Sequence, residues 1–259
     1  MAKMSLLEIV QDIMSDMDSD EVNSINDTQE SLQVAQIVKT TYFSIIDGRD
    51  FDFLHEMFQL NSSSSLNKPS HMKLPDNIIN VDFIKYNCRK NADTKDYYKT
   101  IMYKTPEDFL YILDQRTSSD SDVKVVDGYN GITLNIYNDK GPSYFTSFDD
   151  ENIVFDAYDK EVEQTLQTNK TKCRGKRSVT FTLSDTFTPD LPVQMFSYLL
   201  AEAKSIAFTT LKQTANPKAE QQSVTQKRRM SQDSWRIKNG IHYPNYGRTL
   251  GHKGKPGGY

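Results

Sequence analysis

Cysteine is nearly absent from this chain of 259 residues: Cys88 and Cys173 stand far apart, neither with a second thiol nearby. That spacing excludes a disulfide framework or a paired-cysteine metal site, and two reduced thiols, buried or half-buried, are expected. Histidine is scarce too. His55, His71, His242 and His252 form no His-Glu-x-x-His or His-x-His pattern, and no Gly-x-Ser-x-Gly elbow is present, so the common hydrolase signatures are missing. No run of about 18 apolar residues exists to span a membrane. The opening "MAKMSLLEIVQDIMSDMDSDE" is broken by Glu8 and Asp12, too acidic for a signal peptide, so a reducing aqueous compartment is expected. With 37% hydrophobic residues and a mean hydropathy of -0.65, the chain reads as a cored body with polar appendages.

What is present is charge, unevenly placed. The formal net of -4 hides 3 basic against 12 acidic residues in 1–60, and 10 basic against 2 acidic in 212–259. Ends of opposite sign are an argument about partners rather than fold, and in an assembly of identical copies they favour arms that reach surfaces unlike their own.

Apolar residues at three-and-four spacing predict helices over 4–17 and 27–46, the second capped by Asn26 or Asp27, and a third over 190–213 on the stripe Val193, Phe196, Leu200, Ala203, Ala207 and Leu211. The stretch 51–58 reads as an irregular or helical piece that packs Phe51, Phe53, Leu54 and Phe58 under the helices. After the Ser-rich loop 61–70 the period changes to that of strands in "IINVDFIKYN", "DYYKTIMYK", "VKVVDGYNGITLNIYN", "PSYFTSF", "NIVFDAY" and "SVTFTLSD". A short helix starting at Thr105-Pro106 interrupts them. Residues 217–235 can form a polar helix without an apolar stripe. The fold class is therefore α+β: a helical bundle of N- and C-terminal segments (1–60 and 190–216), a β-rich insertion (61–189) and an extended basic C-terminal arm (217–259).

Few residues suggest chemistry. Asp16, Asp18 and Asp20 imitate the start of a calcium loop, but Glu21 stands where its turn requires Gly, and an acidic helix end is the simpler reading. Asp149, Asp150 and Glu151 fall in a hairpin turn, where a solvated turn competes with a divalent-ion site. "GRTLGHKGKPGG" lacks the Gly-Lys-Ser/Thr ending of a phosphate loop. No cofactor, metal site or catalytic residue is expected. Two signals remain. One is the basic run Lys170, Lys172, Arg174, Lys176 and Arg177, read as a loop that is either solvated or touches a protein or nucleic acid. The other is the tail, where Arg228, Arg229, Trp235, Arg236, Tyr243, Tyr246, Arg248 and Tyr259 combine the residue types enriched at binding hot spots.

The stretches "INDTQESLQVAQIVKTTYFSII", "GPSYFTSFDDENIVFDAYD" and "LPVQMFSYLLAEAKSIAFTTLKQ", followed by a basic tail, resemble the head-to-tail adaptors of short-tailed bacteriophages, the tail tubular protein A or head-completion family. The resemblance spans most of the chain but rests on packing and composition. It implies a non-enzymatic virion protein at the head-tail junction, a ring usually of twelve copies between the portal and the tail nozzle. DNA would pass through its channel without specific binding, the tail would be an arm on the portal, and the basic run from Lys170 to Arg177 would be a candidate contact with another subunit or the nozzle. The longer β-rich middle and tail depart from the smallest members. The alternatives are a nucleic-acid-binding protein that uses the basic tail and, last, a hydrolase or nuclease built on Asp149, Asp150 and Glu151.

Overall fold

The structure is a computed structural model that describes residues 3–128 and 131–233, with side chains to residue 229. Contacts divide the chain into two units, one drawn from both ends (to Asp52 and from Phe181) and one of Phe53–Thr180. The breaks fall at 52/53 and 180/181, each eight or nine residues before the expected 60/61 and 189/190.

The first unit is helical. Helix α1 (Leu6–Asp16) begins at a capping box in which Ser5 and Glu8 bond each other's backbone amides, and buries Leu6, Ile9, Val10 and Ile13. Helix α2 (Gln29–Asp47) is capped by Thr28 and Ser31. Asp27, one expected cap, instead accepts the amides of Asn23 and Ser24 in the preceding turn. The segment after Phe181 closes over α1, where the Leu6 and Leu7 amides donate to the carbonyls of Phe187 and Asp185 at 2.7 and 3.2 Å. These satisfy donors that a helix start leaves free. The expected strand "SVTFTLSD" is not formed: Phe181 packs its ring on Tyr42 at 5.2 Å and on Phe187 at 4.6 Å, so the alternation there serves side-chain packing rather than a ladder.

A further helix (Val193–Leu211) buries Phe196, Ala203 and Ala207 of the expected stripe, but also Met195, Tyr198, Leu199 and Ala201, while Val193 is exposed and Leu200 only half-buried. The helix is sandwiched. It packs on α2 and α1 on one side and, on another, on a last helix (Pro217–Asp233) that buries Ala219 and Ser223 against it. Ser223 donates to Glu202 across that contact. The start of the segment expected to be an extended arm is therefore a helix docked on its own unit, as far as the described residues reach.

The second unit is a sheet. Its strands are β1 (His55–Phe58), β2 (Asn61–Ser62), β3 (His71–Lys73), β4 (Ile78–Asn87), β5 (Tyr98–Tyr103), β8 (Tyr144–Ser147), β9 (Asn152–Phe155) and β10 (Thr171–Arg177). They lie in the order β1-β10-β4-β5-β8-β9-β3-β2. The hairpin of β6 (Val123–Asp127) and β7 (Thr133–Tyr137) stands apart. All pairs are antiparallel except β5 with β8, whose crossover carries α3 (Pro106–Asp114) and the hairpin. Thr105 caps α3 through the Asp108 amide at 3.2 Å. In sequence order the two later helices are α4 (Val193–Leu211) and α5 (Pro217–Asp233).

The expected helical bundle with a β-rich insertion is thus overturned. The chain is a mixed α/β protein: five helices and a large curled eight-stranded sheet, a half-barrel, among the described residues. Strands, with Phe109 of α3, carry a core that includes Met72, Ile84, Ile101, Ile136, Phe155 and Cys173. The reason lies in two strands that hydrophobic periodicity could not show. Phe58, assigned to the helices, sits in β1 against this core, and β10 turns Thr171, Cys173 and Gly175 inward, none of them a large apolar residue.

Candidate interaction surface

The basic run is not a loop. Only Lys170 precedes the strand, closing a one-turn helix (Thr168–Lys170) and paired with Glu163. Lys172, Arg174, Lys176 and Arg177 lie in β10, between β1 and β4. Alternation sends Thr171, Cys173 and Gly175 to the buried face and leaves Lys172 exposed and Arg174 and Lys176 half-buried on the other. Small inward residues are required here. A Cβ on Gly175 would lie 2.2 Å from the Asn80 carbonyl oxygen, so β4 comes too close for any side chain. Burial pushes the Cys173 thiol up to about 12, which makes it an inert core residue.

The register fixes what faces outward. Met57 of β1, Arg174 and Phe83 of β4 form one cross-strand row; Lys172, Lys85 and Thr100 of β5 form the next. The pairing shifts between Arg174 and Gly175, and there Asp82 bonds His55 Nδ1 at 2.7 Å and lies 3.8 Å from Arg174 Nε. Lys172 and Lys85 are direct cross-strand partners, like charges side by side. Such a pair costs about 0.2–1 kcal/mol relative to neutral neighbours. Each ammonium rests on an aromatic ring, Lys172 Nζ 3.8 Å from the centre of Tyr98 and Lys85 Nζ 5.5 Å from that of Phe83, which softens the cost without supplying a counter-charge.

Beside these rows the sheet parts. β4 pairs with β5 only over Ile84–Asn87, after which β5 turns to β8 at Met102 and Tyr103. A groove of about 750 Å³ opens, lined by Ile79, Val81, Phe83, Met102, Tyr103 and Phe145. Ile79, Met102 and Tyr103 are 65%, 64% and 59% exposed. Apolar side chains this open, clustered at a strand edge with a free ladder side, are unusual on an isolated subunit.

The other expected site residues are dispersed. Asp149 accepts the amides of Glu151 and Asn152 and the Asn152 side chain, the bonding of a turn, and Asp150 takes a left-handed φ of 59°. Asp16 pairs with Lys204 at 2.6 Å. Among the described residues no three His, Cys, Asp or Glu side chains are grouped to hold a metal ion. Arg228 and Arg229 are exposed on α5, while Trp235, Arg236, Tyr243, Tyr246, Arg248 and Tyr259 lie outside the described residues.

A buried ion pair escaped sequence reasoning. Arg116 donates to the Asp156 carboxylate at 3.1 Å and to the carbonyls of Asp156 and Asn135, and its guanidinium stacks 4.0 Å from the Tyr137 ring. The other Asp156 oxygen accepts the amides of Ser143 and Tyr144. These bonds lie inside the fold and tie the ends of α3 and β9 to β7 and the start of β8. No helix among the described residues is long and apolar enough to cross a membrane. No protein-family model matches the chain, and none of the curated proteins matches it.

Proposed function

We propose that the chain is a ring-forming head-to-tail adaptor of a short-tailed phage, joining the portal to the tail nozzle and continuing the DNA channel without specific DNA contacts. The observation that carries this reading is the open apolar groove beside a strand edge, with Ile79, Met102 and Tyr103 more than half exposed. It suits a subunit built to be covered by neighbours in an assembly. The resemblance in the N-terminal, middle and closing segments supplies the kind of assembly: twelve copies at the head-tail junction of the virion. In this reading the tail from Ser234 onward is the portal-binding arm, with Trp235 as its main anchor and Arg236 and Arg248 meeting carboxylates, while the exposed Arg228 and Arg229 of α5 precede it.

The competing reading is a nucleic-acid-binding protein, favoured by the Lys172, Lys85 and Arg174 face with its aromatic rings. Electron microscopy of the purified chain mixed with portal rings separates the two. A second ring stacked on the portal is the expected result. No complex with the portal, together with salt-dependent retention of DNA, would overturn it in favour of nucleic-acid binding.

A further inference from the structure

We infer that Lys85 and Lys172 on the open sheet face of one copy receive the acidic corner Asp18, Asp20 and Glu21 of the next copy, making a head-to-tail contact that propagates round a ring. The inference rests on the ring reading above and names the contact that reading leaves open.

The two surfaces are complementary and both are uncompensated. Lys85 and Lys172 sit directly opposite each other in the β4–β10 register, and neither is within 4 Å of a carboxylate among the described residues. Two adjacent exposed cations on a rigid sheet are a local fault that the fold itself does not need. The corner following α1 is the reverse case. Asp18, Asp20 and Glu21 are exposed, and none is in a salt bridge among the described residues. Their loop is held in place rather than loose. Gln11 Nε2 donates to the Val22 carbonyl at 2.7 Å, the Ser19 hydroxyl donates to Glu30 at 3.0 Å, and Asp18 takes a left-handed φ of 55°.

A second copy fits the basic face better than nucleic acid does. The first 60 residues are strongly acidic, so every other copy supplies an acidic surface for this face. Each copy brings one basic face and one acidic corner, on different units, in equal number. Unlike patches on one chain make a heterologous contact, and such contacts close into a ring when the rotation from copy to copy closes.

The test is a charge swap in the full chain. Lys85→Glu with Lys172→Glu, and separately Asp18→Lys with Asp20→Lys, should each weaken self-association about tenfold or more, the effect of close interfacial charge pairs. All four substitutions in one chain should restore it, as should an equimolar mixture of the two double variants. The readouts are sedimentation of the chain alone and the number of copies loaded per portal ring, with circular dichroism to confirm folding. Rings that form equally well in both double variants would overturn the contact while leaving the adaptor reading intact. So would loss without recovery in the combined variant, or unchanged assembly accompanied by lost DNA retention. A wild-type chain that neither self-associates nor loads cooperatively on portals would end both readings.

Discussion

Arg116 and Asp156 place opposite charges where each side chain is about 95% buried, and the sequence separates them by 40 residues with no motif to connect them. Such a pair becomes visible only once α3 and β9 meet. Arg116→Met should cost about 3–5 kcal/mol in urea unfolding, because Asp156 is left charged and unpaired in the interior. A loss under about 1 kcal/mol would show that the pair is dispensable. His71, buried in β3, has its imidazole held down to about 4, by burial first and by the Lys68 ammonium second, with Asp149 opposing. The unfolded chain therefore takes up the proton first as pH falls. Stability fully present above about 6.5 should decline as pH drops toward 4, and His71→Gln should flatten that limb of the urea profile. A wild-type profile level between those values would contradict the placement.

Elements differ in how clearly the sequence announced them. β4 occupies the ten residues "IINVDFIKYN", and α3 starts at its Thr-Pro signal, because apolar alternation and cap chemistry are local properties. β10 gave no such signal: its inward residues are Thr, Cys and Gly, and its outward ones a run of Lys and Arg, so charge suggested a loop. Its place in the sheet comes from its partners β1 and β4, which no window of sequence contains. In α4 the helix was legible but the deepest leucine was not, since α5 adds a second packing side that its own polar sequence hides. Leu199→Ala should lose about 2–5 kcal/mol and Leu200→Ala clearly less, as read by thermal or urea unfolding. Equal losses at both positions would contradict the burial of α4 described above.

At the scale of the whole molecule, sequence reading supplied the separation of charge and the presence of helical and β-rich parts, but it misjudged their weight. The sheet holds a large core of its own, and the docked helix α5 moves the start of any free arm from about residue 217 to beyond Asp233. A chain ending at Asp233 should fold like the full protein yet fail to join portal rings, whereas one ending at Thr214 should also lose stability by stripping α5, with its Ser223 bond to Glu202, from α4. Full portal binding by the chain ending at Asp233 would remove the arm from the account. The central claim, that this is a ring-forming adaptor, is tested most directly by counting its copies on purified portals by electron microscopy. The account predicts a closed ring, twelve subunits by the resemblance, coaxial with the portal and open at its centre. Portals that remain bare at saturating protein, or that carry scattered single copies, would contradict it.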